Sequence, residues 1–197
     1  MYKYIRFWTK MTAVYLLYGI LAAIGVLTYS YFIVRVDFKE YGMNMVWGVY
    51  MTLFMYGVSI SKKCYGIPFS IAFGAVRKNT LKGYFFTEWI LMILCTVIAS
   101  VLGFNEISGK TFELISWLLI GAASGQYVSE AFGKGKKSAV IVIISTITLL
   151  LPFADFILYS TKSSLMIEKP IVIFGIIYYC VISMMTIKHT MQLEVRV

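Results

Sequence analysis

Residues 84–104, YFFTEWILMILCTVIASVLGF, decide the fold class of this chain. Glu88 is the only charged residue in the stretch, and the remainder is dominated by aliphatic and aromatic side chains. A helix of about 20 predominantly apolar residues crosses the hydrocarbon core of a bilayer. The stretch therefore predicts a membrane-spanning helix.

Similar apolar runs lie on both sides of this stretch, and charged residues interrupt them mainly at their ends. The 197 residues are 60% hydrophobic and only 14% charged, whereas soluble proteins carry about 25% charged residues. The sequence therefore predicts an all-α polytopic membrane protein, with residues 1–197 forming a single transmembrane domain. Its six predicted spans are about 11–34, 44–60, 84–104, 112–129, 138–159 and 170–187.

The connecting segments are too short for a folded ATPase or receptor domain, so such a module would come from another chain. The first run is also too long for a signal peptide, whose apolar region covers about 7–15 residues. The three cysteines, Cys64, Cys95 and Cys180, lack the paired spacing of a zinc site or a disulfide scaffold.

The positions of Lys and Arg predict the orientation, because short loops rich in these residues stay on the cytoplasmic side. An inside N-terminus places thirteen of the eighteen Lys and Arg residues in cytoplasmic segments. The prediction is a multi-pass protein of the cell membrane with both termini in the cytoplasm. The net charge of +9 then needs no nucleic-acid partner, and attraction to anionic lipid of the inner leaflet accounts for part of it. The cytoplasmic residues are Lys3, Arg6, Lys10, Lys62, Lys63, Arg77, Lys78, Lys82, Lys134, Lys136, Lys137, Lys188 and Arg196.

Residues 2–10, YKYIRFWTK, alternate basic and aromatic side chains at helical spacing. This pattern predicts a short helix in the headgroup plane that precedes the first span. The alternative is a set of anchoring side chains that simply flank the first span.

The sequence lacks the residues of an enzyme site, so we expect a non-catalytic subunit with no catalytic residue and no metal site. His189, the only histidine, lies beyond the last span. No phosphate-binding loop of the form G-x-x-x-x-G-K-[ST] occurs. Gly121 and Gly125, four residues apart, predict a face on which two helices pack closely.

Two acidic residues and a proline near the spans are candidates for gating or ion pairing. Glu88 lies about one turn inside the third span, where we expect an ion pair with Arg77 or Lys82 and, as the alternative, a role in transmitting motion. Pro152 is expected to kink or break the fifth helix. A break would allow Asp155, near its outer end, to form part of an outer gate.

The loop between the second and third spans, residues 61–83, is SKKCYGIPFSIAFGAVRKNTLKG. It is too apolar for a solvated connection, and its basic residues, glycines and proline do not suit a span. The mixture predicts a short helix at the inner membrane interface that a soluble partner can bind. A loop that merely caps the bundle is the alternative.

Pro68, the motif Phe73-Gly74-Ala75-Val76-Arg77-Lys78-Asn79 and Gly83 resemble the inner loop of membrane subunits of ABC exporters of the second type, in particular small six-span permeases that export peptides or protect against them. The six spans and inward termini agree with this family. In motif the resemblance covers about 15 residues. It implies that the loop is a coupling helix, formed by Pro68, Phe69, Phe73, Gly74, Arg77, Lys78, Asn79 and Lys82.

The resemblance also implies the partners: a separate ABC ATPase subunit, which would bind ATP and Mg²⁺, and a second membrane subunit, identical or closely related. This chain would then need no cofactor of its own. The cargo implied is an amphipathic or hydrophobic peptide. Aromatic residues of the first two spans could line its translocation path, although such spacing more often reflects simple packing. They are Tyr15, Tyr18, Trp47, Tyr50 and Phe54.

Two other functions compete with export. The substrate-binding membrane component of a vitamin-type ABC importer also has six spans in about 190 residues, and it would bind a small ligand by itself in a polar outer pocket. The third reading is a small membrane scaffold. The identity of the neighbouring gene would discriminate between the first two, and the excess of Lys over Arg suggests an AT-rich bacterial genome.

Overall fold

The computed structural model describes residues 2–29, 43–101, 110–131, 137–160 and 168–192. Helices account for almost all of these residues, and no strand occurs among them, so the predicted all-α class is confirmed. The elements are α1 (Tyr2–Tyr29), α2 (Met43–Ser61), a π-helical turn (Lys62–Gly66), α3 (Ile67–Ala72), α4 (Arg77–Val101), α5 (Lys110–Ser129), α6 (Lys137–Ser160) and α7 (Glu168–Gln192).

Two helical segments among the described residues are long and apolar enough to cross a membrane. They are Arg77–Ile98 in α4 and Pro170–Gln192 in α7, which contain most of the third predicted span and the whole of the sixth. Leu114–Ser129 and Ala139–Leu151 are shorter apolar helical segments. The composition of the described helices therefore indicates membrane association but does not establish all six predicted spans.

Helix α5 lies at the centre of the bundle. It packs most extensively against α2 and α7, and next against α6. Nearly every described side chain from Leu114 to Ser129 is buried. A helix that is enclosed on all sides needs small residues where its neighbours come closest.

Gly121 and Gly125 provide the closest approach between α5 and α2. A Cβ added at Gly121 would lie within 3.0 Å of the carbonyl oxygen of Thr52, and one at Gly125 would meet that of Tyr56 equally closely. Backbone atoms cannot move aside as the end of a flexible side chain can. The two glycines therefore set the separation of α2 and α5.

Apolar side chains cover the outer faces of the peripheral helices. Large aliphatic residues are exposed along α1, α6 and α7, whereas the polar side chains of α4, α5 and α7 cluster inside. This distribution is the reverse of that expected for a bundle surrounded by water. Examples of exposed residues are Leu17, Leu21, Ile143, Ile147, Ile173 and Ile177.

The structure bears on three predictions about helix boundaries. The segment 2–10 is not a separate interfacial helix, because α1 runs without interruption from Tyr2 to Tyr29. A kink or a break of the fifth helix is expected at Pro152; the break is wrong, because α6 continues through Pro152 to Ser160. A proline removes only its own backbone donor, and membrane helices tolerate that loss when their surroundings compensate.

The short helix predicted within residues 61–83 is present as α3, but most of the other residues of this stretch are helical as well. Helix α2 continues through the π-helical turn into α3 as far as Ala72, and α4 already begins at Arg77. Only residues 73–76 form a connection. We call residues 62–82 the 62–82 hairpin.

Candidate functional site

A helix C-cap closes the 62–82 hairpin tightly. Gly74 has φ of +83°, in the left-handed region that favours glycine. The N–H of Gly74 donates to Ile71 O at 2.9 Å, and the N–H of Ala75 donates to Ser70 O at 3.0 Å. These two bonds form a Schellman motif, which satisfies the last carbonyl groups of α3. The Ser70 and Thr80 hydroxyls are also hydrogen-bonded at 2.9 Å, which joins the two arms.

The π-helical turn precedes Pro68, one of the first two residues of α3. A proline has no N–H for the carbonyl four residues earlier. The wider turn of residues 62–66 lies where that hydrogen bond is lost, and such turns occur frequently at functional sites. It also determines the directions in which Lys62 and Lys63 extend.

The tip of the 62–82 hairpin exposes aromatic and basic side chains together. Phe73 is 71% exposed at the tip, and Tyr65, in the π-helical turn at the base of the hairpin, is 72% exposed. Phe69 stacks on Phe7 of α1 with ring centroids 5.6 Å apart, and it contacts Phe73 at 4.5 Å. The predicted coupling residues all lie on this element. Pro68, Phe69, Phe73, Gly74, Lys78 and Lys82 are exposed, whereas Arg77 and Asn79 are partly exposed.

Arg77 connects the 62–82 hairpin to the end of α7. Its guanidinium donates a hydrogen bond to Met191 O at 3.0 Å. It does not pair with Glu88, and neither does Lys82. The ion pair predicted for Glu88 is therefore wrong.

Glu88 instead accepts hydrogen bonds from four neutral side chains and is completely buried. Its Oε1 accepts from the Ser59 hydroxyl at 2.7 Å and from the Tyr84 hydroxyl at 3.2 Å. Its Oε2 accepts from Gln126 Nε2 and from the Tyr179 hydroxyl, both at 2.8 Å. These donors come from α2, α4, α5 and α7, so one carboxylate joins four helices.

Lys62 extends from the π-helical turn towards α1 and α4, and it is fully buried. Its ammonium donates to Thr87 Oγ1 at 2.6 Å and to Tyr84 O at 3.2 Å. It also lies 5.5 Å from the ring centroid of Trp8 and 5.1 Å from that of Tyr84, within cation–π range. Burial lowers the Lys62 pKa to about 8, although the charge of Glu88 partly opposes this shift.

Trp8 fixes the start of α1 to the 62–82 hairpin. Its indole is fully buried, and a Cβ added at Gly66 or at Gly83 would lie within 3.0 Å of it. The absence of side chains at these two positions creates the space that the indole occupies. The start of α1, predicted as a separate interfacial helix, is thus a structural part of the site.

Lys63 extends in another direction, towards α5 and α7. It forms a buried ion pair with Glu130 Oε1. Its ammonium also donates to Gln126 O at 2.9 Å and to Thr186 Oγ1 at 3.0 Å. His189 Nδ1 lies 3.7 Å from the other carboxylate oxygen of Glu130.

Gln126 connects the surroundings of Glu88 with those of Lys63. Its side-chain amide donates to Glu88, its amide oxygen accepts from Thr186 at 3.1 Å, and its backbone carbonyl accepts from Lys63. A continuous hydrogen-bonded network therefore runs from Glu88 to Glu130. Its polar groups are buried and paired, which favours one defined arrangement of the helices over many.

In the sequence, Lys62 and Lys63 indicate only the topology, and no motif assigns a role to Gln126, Glu130 or Tyr179. Two adjacent lysines that end an apolar helix look like interfacial anchors, because lysine is rarely fully buried. A polar residue such as Gln126 within a small-residue helix was the available signal for a buried contact.

The aromatic residues predicted to line a path mostly pack between α1 and α2. The Tyr15 and Ser61 hydroxyls are hydrogen-bonded at 2.7 Å, and the Tyr50 hydroxyl donates to Gly19 O. The ring of Phe54 lies against Gly19. Tyr18, by contrast, is 65% exposed. The side chains of Trp47, Pro152 and Asp155 lie outside the described residues, although their backbones are helical.

A groove of about 330 Å³ separates the 62–82 hairpin from the end of α7. Lys63, Cys64 and Pro68 line it on one side, and His189 and Thr190 line it on the other. Partial burial raises the pKa of the Cys64 thiol, while the charge of Lys63 opposes the shift. The groove leaves space between two elements that the network holds together.

Among the described residues, no group of three or more His, Cys, Asp and Glu side chains could hold a metal ion. The described groups of the network are paired with one another, and their arrangement suits the mechanical connection of helices. Comparisons with protein-family models, with curated proteins and with solved structures find no match for this chain.

Proposed function

We propose that this chain is the membrane subunit of an ABC exporter of the second type, which borrows its ATPase from a separate subunit. The observation that carries the proposal is the 62–82 hairpin. It presents exposed aromatic and basic side chains on a rigid, capped turn, and it is anchored to the bundle by two buried lysines. A soluble subunit can bind such an element and displace it as a rigid unit.

The charge of the hairpin supports a protein partner with an acidic docking surface. Lys78 and Lys82 are exposed, whereas Glu88 and Glu130 are buried. The exposed charge on this part of the described chain is therefore basic. The neighbouring Phe69 and Phe73 supply aromatic surface of the kind found at the centre of protein interfaces.

Helix lengths support a bundle of six spans within this proposal. Besides α4 and α7, helices α1, α5 and α6 contain 28, 20 and 24 residues, and α2 contains 19. A helix of about 20 residues measures about 30 Å, the thickness of a bilayer core. The exposed aliphatic faces of α1, α6 and α7 would then meet lipid or a second membrane subunit, and both termini would be cytoplasmic.

The mechanism is a shift between two arrangements of the bundle. Nucleotide-bound and nucleotide-free ATPase subunits contact the hairpin differently, and this difference biases the membrane helices towards one arrangement. ATP and Mg²⁺ belong to the ATPase subunit. An amphipathic or hydrophobic peptide would pass between the paired membrane subunits, and Tyr18, which is exposed on α1, would contribute an aromatic side chain to this path.

Co-purification with the ATPase encoded beside this chain tests the proposal. Lys78→Glu places a negative charge on the exposed tip and is expected to reduce recovery of the ATPase by at least tenfold. Lys78 is a better position than Arg77, whose guanidinium bonds Met191. Lys10→Glu, an exposed change on α1, is the matched control and is expected to leave recovery unchanged. Phe73→Ser, a second change at the tip, is expected to act in the same direction. If both variants recovered as much ATPase as the wild type does, docking through the hairpin would be refuted.

A further inference from the structure

Two consecutive lysines connect the 62–82 hairpin to different parts of the bundle. Lys62 reaches α4, through Tyr84 and Thr87, and lies over the ring of Trp8 in α1. Lys63 reaches α5 and α7, through Glu130 and Thr186. The π-helical turn that contains both lysines lies at the base of the hairpin.

The connection on the Lys62 side is tightly packed. Trp8 fills the space beside Gly66 and Gly83, and Phe7 stacks on Phe69. Any displacement of the hairpin relative to α1 would separate these surfaces and open a cavity, which is unfavourable in a close-packed interior. The hairpin, the start of α1 and the start of α4 therefore form one rigid unit.

The connection on the Lys63 side is polar and borders open space. The groove of about 330 Å³ lies between the hairpin and the end of α7. His189, on its far side, lies 3.7 Å from Glu130 Oε2. Glu130 would therefore retain a neighbouring imidazole after Lys63 moved away, which lessens the cost of leaving a buried carboxylate unpaired.

We infer that Lys63 and Glu130 are positioning residues that set the position of the 62–82 hairpin relative to α7, and that this contact opens when the hairpin moves. Lys62 and Trp8 keep α1 attached to the hairpin during the movement. The inference rests on the proposed function for the source of the movement, which is the docked ATPase. It deepens that function by naming a buried contact, beside the exposed Arg77–Met191 hydrogen bond, through which the hairpin position reaches α5 and α7.

Pulsed electron paramagnetic resonance on the full chain in lipid nanodiscs tests the inference. Spin labels at Val76 and Met184 report the distance from the hairpin to α7, and labels at Val76 and Leu17 report the distance to α1. All three positions are exposed. The native cysteines are replaced through Cys64→Ser, Cys95→Ala and Cys180→Ser.

Loss of the Lys63–Glu130 pair is expected to broaden the distance distribution between the hairpin and α7 but not that between the hairpin and α1. Lys63→Met and, independently, Glu130→Gln are each expected to at least double the width of the Val76–Met184 distribution and to leave the Val76–Leu17 distribution unchanged. Lys63→Arg, which keeps the charge, is expected to retain the narrow distribution. Equal broadening of both distances, or of neither, would overturn the inference, and so would broadening by Lys63→Arg. Glu130→Gln decides the matter if Lys63→Met does not fold.

This measurement uses the chain alone, so it stands even if the ATPase does not bind. In a second arm, the purified complex with the ATPase receives a non-hydrolysable ATP analogue. We expect the Val76–Met184 distance to change and the Val76–Leu17 distance to stay constant. A change in the Val76–Leu17 distance alone would contradict the inference, whereas failure to form the complex would contradict the proposed function only.

Discussion

Gln126 Nε2 donates a hydrogen bond to Glu88 Oε2 at 2.8 Å, and this contact joins α5 to α4 inside the bundle. Both side chains are completely buried. Gln126 also bonds Lys63 and Thr186, so the contact connects the fully enclosed carboxylate to the base of the 62–82 hairpin. The contribution of this network to stability can be measured by mutation.

Removal of the Glu88 carboxylate is expected to destabilise the protein strongly. Glu88→Leu leaves four buried donors without their acceptor, and an unsatisfied buried group costs about 1–3 kcal/mol. We expect a loss of about 3–5 kcal/mol for Glu88→Leu, because several buried donors lose their acceptor together, and a smaller loss for Glu88→Gln, which keeps one acceptor oxygen. Thermal unfolding of the detergent-solubilised chain measures the change.

Lys82→Gln is the matched control for Glu88, because Lys82 is an exposed residue of the same helix. Exposed substitutions of this kind usually change stability by less than about 0.5 kcal/mol. If Glu88→Leu were as mild as Lys82→Gln, the network would have no structural importance.

The two glycines of α5 give a second prediction, which concerns packing. Gly121→Ala places a methyl group against the backbone carbonyl of Thr52, so α2 and α5 must separate. Overpacking of this kind costs about 1–3 kcal/mol. Gly57→Ala provides the contrast, because Gly57 is a helical glycine of α2 with no atom near its added Cβ.

Gly57→Ala is expected to be neutral or to stabilise the protein by about 0.5–1 kcal/mol, because alanine favours a helix more than glycine does. Thermal unfolding should therefore show a lower unfolding temperature for Gly121→Ala and an unchanged or higher one for Gly57→Ala. Equal effects would mean that α2 and α5 do not meet at Gly121.

Lys62 gives a prediction about pH. Its pKa falls from 10.5 to about 8 on folding because burial disfavours the charged ammonium. Between these two values the unfolded chain holds more protons than the folded chain, so stability from this residue rises as pH increases through the window. Below about pH 8 the full cost of the buried charge is present.

Lys62→Met removes this pH dependence while leaving the other titrating groups in place. The quantity to measure is the unfolding temperature of the wild type minus that of Lys62→Met. We expect this difference to be more positive at pH 9.5 than at pH 7.5. A difference that is constant or falls with pH would show that Lys62 is not buried as a cation.

The orientation of the hairpin is testable by thiol labelling in intact cells. With Cys95→Ala and Cys180→Ala, Cys64 is the sole thiol, and the cytoplasmic orientation predicts labelling by a membrane-permeant maleimide but not by an impermeant one. Labelling should be slow and should accelerate with rising pH, because burial raises the Cys64 pKa and the thiolate is the reactive form.

Tyr65→Cys in the cysteine-free chain is the accessibility control, since Tyr65 is largely exposed. It should react rapidly with the permeant reagent in cells and with the impermeant reagent after lysis. Reaction of either position with the impermeant reagent in intact cells would show that the hairpin faces the outside and would contradict the predicted orientation.

The sequence predicted features that depend on local pattern. Apolar runs indicated an all-helical protein, and the spacing of Gly121 and Gly125 indicated a close helix contact, because both signals arise within one segment. Gly74, in the middle of the resembling motif, lies at the turn where a left-handed residue is needed. These features require no knowledge of which helices are neighbours.

The polar network could not be predicted in the same way, because its contacts are distant in sequence. Lys63 and Glu130 are 67 residues apart, and Glu88 and Tyr179 are 91 apart. An acid one turn inside a span is expected to be buried against another helix or a cation, and Arg77 and Lys82 lie upstream of Glu88 in the sequence. Its neutral partners come instead from helices whose arrangement only the folded bundle defines.

The continuity of α1 depends on long-range packing for the same reason. Basic and aromatic residues at 2–10 resemble an interfacial helix, yet Trp8 is buried against Gly66 and Gly83. Because Gly66 and Gly83 lie far from Trp8 in the sequence, no periodic pattern predicts that they pack against it. Residues 2–10 thus continue the first helix.

Photo-crosslinking of the 62–82 hairpin tests the central claim most directly. A photoreactive phenylalanine analogue at Phe73 in cells that express the neighbouring ATPase should form a crosslink to that subunit. The same analogue at Ile147, exposed on α6, should not. A hairpin that crosslinks only to lipid, or to no protein, while the ATPase is present would contradict the assignment of this chain as an exporter subunit.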